Sequence, residues 1–301
     1  MPTLTIGVLA LQGGFEEHIN HLRKAAATAY PSPSPYQFNF IQVRTPSQLE
    51  SSKGLILPGG ESTTISLVAA ESGLLEPLRD FVKHRRNPVW GTCAGAILLA
   101  DEANATSTKK GGQALIGGLS VRVHRNHFGR QVESFIADLD LPFLSSSPSA
   151  EAQQPEAEVE TAAAASSSSP STPSPFQAVF IRAPIVEAIL PIASESTEGG
   201  AESGASPLPV RPPVETLAVL PGRKHRAGFS RPSESDAPDA IGDIVAVRQG
   251  NVFATSFHPE LTDDVRIHVW WLREVVRAVE AAADEGVGGE KTRGPVPVTS
   301  V

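Results

Sequence analysis

Pro88-Val-Trp-Gly-Thr-Cys93-Ala-Gly-Ala-Ile-Leu-Leu-Ala100 reads as a short apolar strand, a turn of small residues and the opening of a helix. The same unit recurs upstream. Residues 5–11 are apolar and partly β-branched, Gln12-Gly13-Gly14 breaks them, and a helical pattern runs from Phe15 to about Ala27. A second strand is expected at 38–43. A third, at 54–57, is stopped by Pro58-Gly59-Gly60, and helices are expected from about Glu61 and over 74–84. Strands that alternate with helices imply a mostly parallel sheet covered on both faces.

Beyond Ala100 the pattern changes. Residues 119–124, 133–137, 178–181, 214–220, 244–248 and 252–256 read as strands without intervening helices. Gln249-Gly250-Asn251 between the last two is a tight hairpin signal. An antiparallel extension of the sheet is therefore expected, closed by a helix over 263–282. The expected organisation is one domain, 1–286, interrupted by low-complexity inserts at about 145–175 and 194–240, with a flexible tail at 287–301. The inserts are rich in Ser, Ala, Pro and Glu, and such segments bury too little apolar surface to offset the entropy of ordering them.

The 301 residues are 40% hydrophobic, enough for a sizeable core, and carry 33 acids against 25 bases. An acidic chain without a basic block argues against nucleic-acid binding and against a polybasic membrane anchor. The one cysteine excludes an internal disulfide and suits a reducing, cytoplasmic setting. The first residues, Met-Pro-Thr-Leu-Thr-Ile-Gly-Val, lack a basic segment and are expected to form a core strand rather than a signal peptide. No stretch approaches the roughly 20 apolar residues of a membrane span.

Gly91-Thr-Cys93-Ala-Gly95 has the spacing of a nucleophile elbow with sulfur in place of hydroxyl. A helix N-terminus beside the sulfur favours thiolate, the reactive species, and leaves the Ala94 N–H free to donate to an oxyanion. By itself this is ambiguous, because a lone cysteine is more often a small buried hydrophobe. Ser256-Phe-His258-Pro-Glu260 adds a base and, two residues on, a carboxylate able to fix the imidazole tautomer. Leu57-Pro-Gly59-Gly60-Glu-Ser-Thr-Thr64 adds paired glycines whose N–H groups can meet an anion. It lacks the Gly-Lys-Ser/Thr ending of a phosphate loop.

Together these residues resemble a class I glutamine amidotransferase, and more closely the glutaminase-subunit family of pyridoxal 5'-phosphate synthase. Five segments carry the resemblance: Gly7-Val-Leu-Ala-Leu-Gln-Gly13 with Glu17-His18; Pro58-Gly-Gly-Glu-Ser-Thr-Thr64; Arg125-Asn-His-Phe-Gly-Arg-Gln131 with Ser134-Phe135; Val179-Phe-Ile-Arg-Ala-Pro184; and Ser256-Phe-His-Pro-Glu-Leu-Thr262. The resemblance implies an α/β, mostly parallel three-layer sandwich, flavodoxin-like, with an antiparallel sheet extension. It implies a catalytic triad of Cys93, His258 and Glu260 that hydrolyses L-glutamine, with oxyanion donors at Gly60 and Ala94. Gly59, Gly60, Glu61, Ser62, Arg125, Ile181 and Arg182 would bind glutamine. Gln12, Gly13, Glu17 and His18 would face a (β/α)8-barrel synthase subunit, which receives the ammonia. No cofactor and no metal are implied.

Overall fold

The computed structural model describes residues 1–104, 113–125, 134–145, 174–192, 211–221 and 242–288, with residues 285–288 as backbone only. Most of the two expected inserts and of the tail lies outside the described residues.

The elements follow in order: β1 (Thr3–Leu9), α1 (Phe15–Ala29), β2 (Gln37–Val43), α2 (Pro46–Ser51), β3 (Gly54–Leu57), α3 (Ser62–Glu71), α4 (Leu75–Lys83), β4 (Val89–Thr92), α5 (Ala94–Leu99) and β5 (Ala100–Ala103). Then come β6 (Leu119–His124), β7 (Ser134–Leu139), β8 (Phe176–Ile181), β9 (Ile185–Ile189), β10 (Glu215–Leu220), β11 (Asp243–Gln249), β12 (Val252–Thr255) and α6 (Arg266–Gly288). Strands β2-β1-β3-β4-β12 pair in that order and all parallel. With β12 as fifth strand this is the 2-1-3-4-5 order of flavodoxin-like sheets, whose ligand crevice lies outside the carboxyl ends of the strands.

Burial in both directions makes this core a sandwich. All four residues of β3 are buried. Leu55 and Leu57 face one layer, with Ile65 of α3, Leu78 and Phe81 of α4 and Leu99 of α5. Ile56 faces the other, with Ile19 and Leu22 of α1 and Trp271 and Val275 of α6. A continuous apolar run is what a parallel strand between two helical layers requires.

The extension departs from the parallel core as expected. β11 pairs antiparallel with β12 across a turn at Gly250 and Asn251, and β9 and β10 pair antiparallel with β11. Three features differ from the sequence expectation. First, β7 and β8 do not join the main sheet; among the described residues they form a two-stranded sheet of their own, Ser134 opposite Ile181. Second, β9, β5 and α2 were not expected. β9 follows directly on Pro184, and β5 follows α5 without a loop. Helix α2 starts from a capping box in which Thr45 Oγ1 accepts from Gln48 N–H, and Gln48 Oε1 accepts from Thr45 N–H. Third, α6 runs to Gly288, past the expected start of the tail.

Candidate active site

The sharp turn from β4 into α5 places Cys93 at φ 47°. That is the left-handed region, costly for a residue with a Cβ and found at sites where the surrounding structure enforces it. Two contacts enforce it here. Cys93 N–H donates to Thr255 O at 2.8 Å. Gly95 lies so close to β3 that a Cβ there would fall 2.1 Å from Leu57 O. The helix start can therefore tuck under the sheet only because residue 95 has no side chain. Cys93 is 6% exposed, and its Sγ sits 3.9 Å from Ile181 O.

β12 is the parallel neighbour of β4, with Thr255 in register with Thr92. The residues leaving β12 thus arrive beside the residue leaving β4. His258 is pinned by its N–H to Val179 O at 2.8 Å. A 3-10 turn at Pro259–Leu261 then folds Glu260 back, so that its Oε1 lies 2.8 Å from His258 Nδ1. Both side chains are buried. Burial opposes charge on His258, but the hydrogen bonds to Cys93 and to Glu260 outweigh it and push the imidazole up to about 10. Burial likewise works against the Glu260 carboxylate; the hydrogen bond and the positive charge of His258 hold it below its ordinary value all the same. At neutral pH the arrangement is a proton-bearing imidazole between a sulfur and a carboxylate.

The turn after β3 closes the site from the other side. Gln12 Oε1 accepts the Glu61 N–H at 2.7 Å, which ties the Gly59-Gly60-Glu61 backbone to the end of β1. A Cβ on Gly59 would meet His258 Cε1 at 2.3 Å. Gly59→Ala is therefore expected to displace the imidazole and lower kcat by about 100-fold, the scale of a misplacement of about 1 Å. Steady-state kinetics together with far-UV circular dichroism, to verify folding, would check it.

The carboxyl ends of β1, β3, β4 and β12 thus converge on one thiol, one imidazole and one carboxylate. A family model for SNO glutamine amidotransferases matches residues 8–203 and 230–277. The chain belongs to the SNO glutamine amidotransferase family. It is 37% identical over 303 residues to a probable pyridoxal 5'-phosphate synthase subunit PDX2 of Arabidopsis thaliana, covering 98% of this chain and 96% of that one. It is 38% identical to the pyridoxal 5'-phosphate synthase subunit PdxT of Pelotomaculum thermopropionicum, covering 91% and 97%. A crystal structure of a glutamine amidotransferase aligns with a TM-score of 0.56 at 33% identity, covering 90% of this chain and 98% of that one.

For a glutamine amidotransferase of this family the expected substrate residues fall into two groups. Gly59 packs against His258, Ile181 O lies by Cys93 Sγ, Ala94 follows Cys93 at the start of α5, and Gly60 packs against Gln12 and Gly13. Arg182, next to Ile181, also has positive φ, at 45°. Arg125 keeps a buried Nε with no hydrogen-bond partner among the described residues. Burial lowers its guanidinium pKa, and the charge of Glu61 opposes that shift. The rest of its motif, 126–131, lies outside the described residues. Glu61 and Ser62 are engaged elsewhere. The Glu61 carboxylate caps α3 through Thr63 N–H at 3.2 Å and Thr64 N–H at 2.6 Å, and Ser62 Oγ donates to Gln113 Oε1 at 3.1 Å.

Among the residues expected to face a partner, Gly13 and Glu17 are exposed and Gln12 is half-buried on the turn it ties down. His18 does not fit that expectation. It is fully buried, turned inward beneath Glu260, because it lies on the same face of α1 as Ile19, Leu22 and Ala25. Thr92, His268 and Gln113 were not anticipated as neighbours of the site. The sequence signal for His18 was its place on an apolar helical stripe, which marks a residue for the interior.

Proposed function

We propose that the chain is the glutaminase subunit of a pyridoxal 5'-phosphate synthase, which hydrolyses L-glutamine through Cys93, His258 and Glu260 and delivers the ammonia to a (β/α)8-barrel synthase subunit. The observation that carries the chemistry is the strained Cys93 elbow beside the 2.8 Å contact between His258 and Glu260. The relatives that bear the name of a pyridoxal 5'-phosphate synthase subunit, aligned over nearly their whole length, support the acceptor.

The Cys93 thiolate attacks the side-chain amide carbon of glutamine. The Gly60 and Ala94 N–H groups stabilise the tetrahedral oxyanion; one such donor is typically worth about 100- to 1,000-fold in rate. His258 Nε2–H protonates the departing nitrogen, the C–N bond breaks, and ammonia leaves a γ-glutamyl thioester on Cys93. His258, now neutral, takes a proton from water, whose oxygen attacks the thioester carbonyl. The C–S bond breaks, glutamate departs and the imidazolium is restored. Glu260 keeps the proton on His258 Nδ1 throughout and so aims Nε2 at the sulfur. Arg125 and the Ile181-Arg182 segment hold the amino-acid end of glutamine.

Ammonia is a nucleophile only while unprotonated, so passage to an acceptor without contact with bulk water is an advantage. The exposed Gly13 and Glu17 lie beside the site and provide the docking edge for the synthase. No helix among the described residues is long and apolar enough to cross a membrane, which suits a cytoplasmic enzyme. Glutamine hydrolysis is expected to rise when the barrel synthase is added. Equal stimulation by the acceptor subunit of an unrelated amidotransferase would contradict the assigned acceptor.

A further inference from the structure

The catalytic carboxylate has a neighbour on its far side. Glu260 Oε2 is buried, and among the described residues no hydrogen bond of proper geometry reaches it. Its near polar neighbour is His18 Nε2, at 3.3 Å. The same Nε2 lies 3.3 Å from Oγ1 of Thr92, the residue before the nucleophile. On the other side of the ring, His18 Nδ1 lies 3.0 Å from His268 Nε2 of α6. His18 and His268 are both fully buried, and the His268 ring packs edge-on against Trp90 at 4.9 Å.

One arrangement of hydrogens lets His18 support Glu260. A carboxylate only accepts, so in that arrangement the hydrogen is on His18 Nε2, shared between Thr92 Oγ1 and Glu260 Oε2. His18 Nδ1 then carries a lone pair, and His268 donates to it from Nε2. That leaves the lone pair of His268 at Nδ1, the one ring nitrogen of the pair without a partner among the described residues. Donation thus runs one way, from His268 through His18 towards Glu260. The groups that face His18 are Glu260 and His258 from the turn after β12, His268 from α6, and His21 and Glu17 from its own helix. Burial, opposed by the charge of Glu260, lowers His18 to about 4. At neutral pH His18 therefore offers Glu260 one N–H and no competing charge.

We propose that His18 is a positioning residue for glutamine hydrolysis: its Nε2–H, oriented by His268, holds Glu260 Oε2 and so keeps Oε1 turned to His258 Nδ1. The inference rests on the triad reading above. It accounts for a buried anion that has to persist through the cycle. Each time His258 gives its proton to the departing nitrogen, Glu260 loses its counter-ion, and an unpaired buried charge is costly. His18 remains beside the carboxylate at that moment and prevents it from swinging away.

The test is glutamine hydrolysis by the chain together with the barrel synthase, with wild type, Cys93→Ala, His18→Leu, His18→Gln and His268→Leu side by side. His18→Leu is expected to lower kcat by about 10- to 100-fold, the scale of a displaced catalytic group, with KM for glutamine within about two-fold. The alkaline limb of its kcat–pH profile is expected to move to lower pH, because a displaced Glu260 no longer sustains the proton on His258. His18→Gln, whose amide N–H₂ can stand in for Nε2–H, is expected to recover most of kcat and the wild-type limb. His268→Leu is expected to show the same limb shift with a smaller loss. A folded His18→Leu with wild-type kcat and pH profile would overturn the proposal. So would losses in His18→Leu and His18→Gln that are equal and leave the pH profile in place, since those mark a purely structural residue. If His18→Leu fails to fold, an unshifted limb in His268→Leu overturns it instead. Wild type no faster than Cys93→Ala would defeat the triad reading itself, a different failure.

Discussion

Cys93→Ala is expected to abolish stimulated glutamine hydrolysis, a loss on the order of 10⁵- to 10⁶-fold, the scale seen when the nucleophile of a triad is removed. The fold should persist. Cys93 is a small buried residue, and alanine keeps its Cβ and the N–H that donates to Thr255 O. The backbone strain at φ 47° is unchanged, since it belongs to the Cβ and not to the sulfur. The oxyanion donors, His258 and the glutamine pocket also remain. Glutamine binding by isothermal titration should therefore survive while ammonia release, followed by a coupled dehydrogenase assay, disappears. Residual hydrolysis within ten-fold of wild type would assign the nucleophile elsewhere.

Glu260→Gln is the second large effect. An amide can face His258 Nδ1 with either its oxygen or its nitrogen, and it carries no charge. It no longer favours the productive tautomer or the imidazolium. Loss of the carboxylate from such a relay costs about 10,000-fold in kcat. The pH dependence separates this from simple misfolding. In the wild type His258 is held up to about 10 despite burial, by Cys93 and Glu260. The alkaline limb of the rate profile is therefore expected near that pH, where the imidazolium needed to protonate the departing nitrogen is lost. Removing Glu260 removes part of the support and moves the limb towards neutrality. The same shift has a stability signature. A histidine pKa raised on folding contributes stability that is fully present below its ordinary 6.5 and is lost as pH rises through about 10. Thermal unfolding of wild type between pH 7 and 10 should show that loss, and Glu260→Gln should begin to show it at lower pH. A limb that stays in place in the variant would remove Glu260 from the relay.

The parts of this site that could be read in the sequence are those set by short-range geometry. Gly91-Thr-Cys93-Ala-Gly95 forces a strand-to-helix elbow because Gly95 must clear Leu57 O, and the structure has that elbow. His258 and Glu260 are two residues apart, so the turn between them brings the side chains together. The parallel core was also legible, since β3 is apolar at every position and Pro58-Gly59-Gly60 ends it. What could not be read depends on residues far apart in the chain. His18 meets Glu260 across 242 positions and His268 across 250, and only the packing of α1 on the turn after β12 and on α6 makes them neighbours. The family resemblance implied a docking edge that included His18, whereas the structure buries His18 in the interior. The pairing of β7 with β8 spans the low-complexity stretch between them, so no local pattern could separate it from the main sheet. Helix α2 is a different case. Its signal, Thr45 with Gln48 three residues on, is local and was present; the helix is only six residues long and has a single buried residue, Leu49, so its apolar period is faint.

Peptide mass mapping after reaction with a glutamine analogue that carries an electrophilic carbon in place of the side-chain amide tests the catalytic assignment most directly. The account predicts a single adduct, on Cys93, whose formation is suppressed by excess glutamine and greatly slowed in the Glu260→Gln variant. An adduct on any other residue, or labelling of Cys93 that glutamine does not compete with, would contradict it.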